Sequence, residues 1–286
     1  MFLALLGGFA AAAIWLWGLG GAEAVAQWAA GKQRAVQGDL AGALRAVRTG
    51  QPFAIATLLG LCFAYGFFHA AGPGHGKLVM GGYALGTNAP RRRLILLTLA
   101  GSLGQAVTAI ALVSLGALVF GWGREQMTGL ADGRLELFSA GAIALVGLWL
   151  LLRGLRHWRS ARAPEICSHC GHAHGPDPAD VAQMSNWREG LALVLAVAVR
   201  PCTGAIFVLI LTFGMGIAWA GVLGALVMGL GTAVLTLGVA LGAGILRGGL
   251  AERLNGPSGQ RAMAVVEMLA GAMVALVAGQ VVLRLI

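Results

Sequence analysis

The chain has 286 residues, of which 58% are apolar and only 11% are charged, and its formal net charge is +9. Several apolar runs exceed the roughly 18–20 residues that a helix needs to cross a bilayer, which excludes a soluble globular protein. The basic residues lie in short segments beside these runs, as the positive-inside rule predicts, so the net charge does not indicate nucleic-acid binding. The composition therefore predicts an all-α protein embedded in the lipid bilayer.

The chain begins with an apolar segment over residues 1–19, with Trp15 and Trp17 near its end, a placement typical of a membrane interface. Residues 22–24 resemble a signal-peptide cleavage site, but the usual basic region before the apolar run is missing, so we favour a retained helix. Between residues 21 and 49, apolar side chains recur at near-helical spacing among basic ones. This pattern predicts either an amphipathic helix on the membrane surface or against a partner, or a solvated connector.

The next apolar segment is interrupted by Gly72-Pro73-Gly74, with His69 and His75 on either side. In lipid such a break is tolerated only where protein or water satisfies the freed backbone groups. On an unbroken helix, two imidazoles six residues apart would lie about 120° apart in azimuth and roughly 9 Å apart along the axis, so only unwinding lets them share an ion. Carbonyls freed at the end of a half-helix attract a cation, and neutral imidazoles favour a transition metal. The segment predicts a metal-ion pathway, and the alternative is a kinked helix with two structural histidines.

The following span carries a weak polar stripe formed by Ser102, Gln105 and Thr108, spaced three residues apart. Such a stripe faces either a cavity or a hydrogen-bonding neighbour helix, and its spacing does not distinguish the two.

Placing the arginine-rich loops in the cytosol gives about seven transmembrane helices in consistent alternation. Six of them divide as three before and three after a long polar loop, which makes the two halves inverted repeats. The first helix of each half is broken, at residues 72–74 and at Arg200-Pro201, and such matched breaks indicate a binding site near the membrane midplane. We therefore divide the chain into residues 1–51, a hydrophobic helix and an amphipathic segment; residues 52–153, the first three-helix repeat; residues 154–189, a cytoplasmic Cys/His-rich loop; and residues 190–286, the second three-helix repeat.

Cys202 and Thr203 follow the second break and are expected to face His69 and His75 across the axis that relates the halves. A thiolate adds a soft ligand that suits nickel, cobalt or zinc, although a buried cysteine acting as a small hydrophobe explains Cys202 equally well. The predicted transport site comprises His69, His75, Cys202 and Thr203.

Lys77 and Arg200 lie beside the two breaks but are not expected to bind metal, because both side chains stay cationic. We expect them to repel the metal outside its binding step or to pair with Glu267 in the last span.

The long loop places five nitrogen or sulfur ligands close together: Cys167, His169, Cys170, His172 and His174. Two cysteines at C-x-x-C spacing with nearby histidines meet the four-coordinate geometry of metal sites, and the alternative is a flexible linker. Because the loop is predicted to face the reducing cytosol, its cysteines do not predict a disulfide framework. Its expected role is to capture, buffer or sense metal at the cytosolic mouth.

These residues resemble the NicO family of nickel/cobalt transporters, whose members carry an HAxGPGHGK-like motif in an early helix and an RPC-x-GA-like motif in the second half. The matching residues are His69, Gly72, Pro73, Gly74, His75, Gly76 and Lys77, followed by Arg200, Pro201, Cys202, Gly204 and Ala205. The resemblance covers most of residues 52–286. It implies a multi-pass membrane protein that transports Ni²⁺ or Co²⁺ across the cytoplasmic (inner) membrane, with no cofactor beyond the transported ion. Related permeases have an aspartate where this chain has Gly74, so a carboxylate-assisted site is absent.

The family also includes members that look like zinc importers working with an extracytoplasmic metal-binding partner, and the short mixed Cys/His loop keeps Zn²⁺ among the expected ions. A non-transporting membrane metal sensor is a second hypothesis. An intramembrane zinc enzyme is disfavoured because no glutamate lies beside the two histidines as a general base. The GPGHGK stretch is not a nucleotide-binding loop, since no hydroxyl residue follows it and no strand precedes it. We therefore expect a transporter and not an enzyme, and the sequence does not reveal the direction of transport.

Overall fold

The computed structural model describes residue 18 and residues 20–72, 75–160, 187–254 and 256–286, except for the side chains of residues 22, 75 and 256–258. Across these ranges the regular structure is helical, and no strand occurs in them. The helices are α1 (Gly21–Arg48), α2 (Ala54–Ala71), α3 (His75–Gly86), α4 (Arg91–Leu118), α5 (Arg124–Leu130), α6 (Glu136–Ser160), α7 (Trp187–Ala198), α8 (Thr203–Gly214), α9 (Ala218–Arg253) and α10 (Gly256–Leu285). A π-helical turn over Ala131–Leu135 joins α5 to α6.

Five helical stretches of the described chain are long and apolar enough to cross a membrane, and α7 with α8 forms a sixth if the bent pair is one span. This confirms the prediction of an all-α, multi-pass membrane protein. The predicted first span over residues 1–19 and the Cys/His loop lie outside the described residues, apart from residue 18 and the ends of the loop.

Both predicted interruptions occur. Helix α2 ends at Ala71, and Gly72 has an extended backbone (φ −64°, ψ 174°), as expected for a residue that precedes a proline. In the second half, α7 ends at Ala198 and α8 begins at Thr203 with a bend of 58° between them. Proline is the cause in each case, because its ring cannot continue the preceding helical hydrogen-bond ladder.

The helices of the two predicted halves pack in a symmetric pattern. The third spans of the halves, α6 and α10, pack on each other, and so do the second spans, α4 and α9. The broken first span of each half packs on the second span of the other, α2 on α9 and α7 on α4. These four pairs are unchanged when the halves are exchanged, whereas α3 packs on α10 without a comparable contact of α8 on α6. The inverted orientation of the halves stays a prediction.

Helix α1 packs along α2, and its Leu40 and Leu44 are fully buried. Residues 21–48 are therefore helical and are packed on the same chain, so a solvated connector is wrong, while contact of this helix with the membrane surface or with a partner stays a prediction. The apolar stripe of α1 covers a helix of its own chain.

The crossing of α2 over α9 depends on two glycines. A Cβ atom on Gly66 would lie 2.1 Å from the backbone oxygen of Met228, and one on Gly231 would lie 2.2 Å from the backbone oxygen of Phe63. Small residues at such crossings let helices approach closely in lipid, where packing drives association. The crossing holds the end of α2 against the middle of α9.

Candidate functional site

A polar cavity of about 190 Å³ lies where the two helix breaks meet. Its walls come from α2, α3, α4, α6 and α9 and from the residues around the break between α7 and α8. A cavity needs about 10–15 Å³ of such space to hold one water molecule, so this cavity has room for an ion together with water.

Three of the four residues of the predicted transport site line this one cavity: His69, Cys202 and Thr203. The backbone of His75 begins α3, but its side chain lies outside the described part of the structure, so its approach to His69 stays a prediction. The five predicted loop ligands, Cys167, His169, Cys170, His172 and His174, also lie outside it.

Cys202 precedes the first turn of α8, with an extended backbone and a free thiol that is 7% exposed. An imidazole, a thiol and a hydroxyl form a donor set that suits borderline and soft transition metals better than Mg²⁺ or Ca²⁺. Among the described side chains, no three His, Cys, Asp or Glu residues group as metal ligands.

The carbonyls at the end of α2 bind a cation, and that cation is Lys77. Its ammonium group donates hydrogen bonds to the carbonyl oxygens of Ala71, at 3.0 Å, and Gly72. The expectation that these oxygens suit a positive charge is correct, but the charge belongs to the protein. Because Lys77 lines the cavity, an ion that enters it meets the ammonium group of Lys77.

The matching carbonyls at the end of α7 are bound by hydroxyl groups. Thr108 donates to the oxygen of Ala198 at 2.7 Å, and Ser139 donates to the oxygen of Ala196 at 2.6 Å. These bonds give partners to four backbone carbonyls at the described ends of the two breaks, as a membrane interior requires. The two ends differ in charge, since one is bound by an ammonium and the other by neutral groups.

The polar stripe of α4 divides between the two roles that the sequence left open. Ser102 and Gln105 line the cavity, whereas Thr108 bonds the neighbouring helix. Sequence reasoning missed further lining residues, among them Thr98, Ser139, Thr232 and Thr236. Thr232 and Thr236 stand at i and i+4 on an apolar helix, a spacing that places them on one face. This spacing could have predicted that they line a polar cavity.

The expected pairing of Lys77 or Arg200 with Glu267 is wrong. Arg200 forms an ion pair with Glu136 at 3.0 Å, at the start of α6. Glu267 pairs instead with Arg153 at 2.7 Å and with His157 Nδ1 at 2.8 Å, both on α6. Helix α10 packs along α6 and turns Glu267 toward the end of that helix, away from the cavity lining.

The Lys77 contact gives a stability prediction. A Lys77→Met substitution leaves the carbonyls of Ala71 and Gly72 without their charged donor, so we expect the free energy of unfolding to fall by about 1.5–3 kcal/mol. Thermal unfolding in detergent measures the change. The matched control is Lys32→Met at the other lysine of the chain, which lies exposed on α1 and should have little effect. Equal midpoints for the two variants would contradict the assigned role.

Comparison with known proteins adds two findings. Residues 55–165 match the NicO family model, described as "High-affinity nickel-transport protein". A Haemophilus influenzae protein named "Putative nickel/cobalt efflux system" is 29% identical over 216 residues, which are 67% of this chain and 66% of the relative. The chain thus spans about two thirds of the length of that relative. No solved structure matches the chain.

Proposed function

We propose that this chain is a member of the NicO family and that it carries a divalent transition-metal ion, Ni²⁺ or Co²⁺, through the membrane by way of the cavity at His69. The observation that carries the proposal is the convergence of His69, Cys202 and Thr203 on one polar cavity at the meeting point of two broken helices. Those residues come from opposite halves of the sequence, more than 130 positions apart, and both family motifs contribute to them.

The chemistry of the cavity supports a transition metal. No Asp or Glu stands among the described residues that line it, so the hard carboxylate ligands that Mg²⁺ and Ca²⁺ prefer are missing from that lining. The imidazole and thiol donors favour Ni²⁺, Co²⁺ and Zn²⁺. His75 completes the proposed ion-binding set with a second imidazole.

We further propose export as the direction, in the cytoplasmic membrane, because the Haemophilus influenzae relative bears the name of an efflux system. In this arrangement the loop ligands Cys167, His169, Cys170, His172 and His174 collect metal on the cytosolic side. The ion then passes to His69 and leaves outside. The role is transport without a chemical conversion, and zinc import with an extracytoplasmic partner is the alternative that the test below separates.

A His69→Ala substitution is expected to lower the initial rate of Ni²⁺ or Co²⁺ flux about tenfold or more, because the cavity loses its described imidazole. The measurement is metal flux into or out of proteoliposomes, followed with a fluorescent probe for Ni²⁺, Co²⁺ and Zn²⁺ in turn. Ile55→Ala is the control on the same helix, since the Ile55 side chain is 47% exposed and away from the cavity.

The wild-type protein is measured under gradients of both directions. Flux of Zn²⁺ alone, in the inward direction, would contradict the nickel/cobalt assignment and favour the zinc importer. An absence of flux for all three ions, with metal still bound, would overturn the transport function and favour a membrane sensor.

A further inference from the structure

Helix α1 contacts α2 on the side of α2 that carries His69. Trp28 packs edge-on against Phe68, with ring centroids 5.4 Å apart and an interplanar angle of 78°. Gln33 donates a hydrogen bond from Nε2 to the hydroxyl oxygen of Tyr65 at 2.8 Å. The N-terminal helix therefore reaches a residue one helical turn from His69.

Tyr65 lies behind the cavity wall and touches residues from both broken helices. Its ring is nearly parallel to the His69 ring, with centroids 6.1 Å apart and an angle of 9°. Its edge fills the space above Gly204, where a Cβ atom would lie 2.0 Å from Tyr65 Cε1. Tyr65 is 3% exposed and does not itself line the cavity.

These contacts place Tyr65 between His69 and the start of α8. His69 comes from the end of α2, whereas Cys202 and Thr203 come from the start of α8, and Tyr65 spans the distance between them. Its ring restricts the rotation of the imidazole, and its edge against Gly204 fixes how closely α8 approaches. The hydrogen bond from Gln33 to the Tyr65 hydroxyl in turn restricts the position of Tyr65.

We propose that Tyr65 is a positioning residue that sets the His69 imidazole relative to Cys202 and Thr203, and that Gln33 of α1 holds Tyr65 in place, so that α1 contributes to metal selectivity. The inference rests on the proposed transport function and deepens it. Ions such as Ni²⁺, Co²⁺ and Zn²⁺ share ligand types but differ in preferred geometry, so selectivity depends on where the ligands are held. Groups behind the ligands are known to control that placement.

The test uses Tyr65→Phe, which keeps the ring and removes the hydroxyl, and Gln33→Leu, which removes the donor. Each variant loses one hydrogen bond to a neutral group, which corresponds to a change of about three- to tenfold in an equilibrium constant. We expect the KM values for Ni²⁺, Co²⁺ and Zn²⁺ to rise unequally, so that the selectivity ratio between at least two ions changes about threefold. The maximal rate per folded protein and the thermal midpoint should change little.

The double variant distinguishes a shared link from two separate effects. Because both substitutions break the same hydrogen bond, Tyr65→Phe combined with Gln33→Leu should alter selectivity no more than the stronger single variant. The matched controls are Gln27→Leu, an exposed glutamine on the same helix, and Tyr83→Phe, the other tyrosine of the chain, which does not line the cavity. Both controls should keep the wild-type selectivity.

Two results overturn the inference in distinguishable ways. If the wild type transports metal and Tyr65→Phe keeps every selectivity ratio while losing only folded protein, then Tyr65 has a purely structural role. If the wild type binds and moves none of the three ions, then the proposed function itself fails and the inference fails with it.

Discussion

A Gly66→Val substitution is expected to remove most of the folded protein from the membrane. The added side chain would meet the backbone oxygen of Met228, whose distance from a Cβ at Gly66 is only 2.1 Å, so α2 and α9 would have to separate. Backbone cannot yield as a flexible side chain does, and we expect a loss in the free energy of unfolding of about 3 kcal/mol or more. The yield of monodisperse protein in detergent, by size-exclusion chromatography, measures the loss.

The matched control is Gly60→Val on the same helix, where a Cβ atom meets nothing within 4 Å. This control changes helix propensity in the same way but leaves the crossing intact, so its yield should stay near the wild-type value. Equal yields for the two variants would show that the crossing tolerates separation. The assignment of Gly66 and Gly231 to a close helix contact would then be wrong.

A Glu267→Ala substitution is expected to lower the free energy of unfolding by about 3 kcal/mol, the lower end of the range for breaking a buried ion pair from one side, because Arg153 is partly exposed. Glu267 is 1% exposed, and its loss leaves Arg153 at the same place without the carboxylate that lies 2.7 Å from it. Thermal or denaturant unfolding in detergent measures the change. Glu125→Ala, at an exposed glutamate in α5, is the control and should have little effect.

Removing both charges tests the cause of that loss. In Glu267→Leu combined with Arg153→Leu no uncompensated charge is buried, so part of the lost stability should return. If the double variant were less stable than Glu267→Ala, the unpaired arginine would not be the cause of the lost stability. That result would contradict this explanation.

The two helix breaks and the residues beside them could be predicted from the sequence because their signals are local. A Gly-Pro-Gly or Arg-Pro step inside an apolar run is conspicuous wherever it occurs, and a lined cavity is one of few ways to tolerate it. The predicted inverted halves would place residues near position 70 and position 202 together. For that reason His69, Cys202 and Thr203 were expected in one place, and they line one cavity.

The charge partners could not be predicted, because they depend on which faces of distant helices meet. Glu267 and His157 lie 110 positions apart, and the sequence around either residue does not indicate that the two side chains meet. The role of Lys77 was missed for a different reason. Freed carbonyls attract any cation, and a tethered ammonium five or six residues away reaches them before an ion from outside does.

The packing partner of helix α1 also could not be predicted from the sequence. Its apolar stripe was visible in the sequence, and Leu40 and Leu44 are buried as such a stripe implies. A stripe of this kind identifies the side of a helix that is covered, but it does not identify what covers it. Lipid, a partner protein and α2 would all have produced the same pattern.

The pairing of Glu267 also constrains how the chain is assembled during translation. An ionised side chain in the centre of an isolated membrane helix costs about 2.5–3.5 kcal/mol at insertion, and α10 is the last described helix to be synthesised. Its two partners, Arg153 and His157, are already in place on α6 when α10 emerges. The final helix therefore enters the bilayer with partners for its carboxylate already in place, and a nascent chain that stops short of Glu267 leaves Arg153 without that carboxylate.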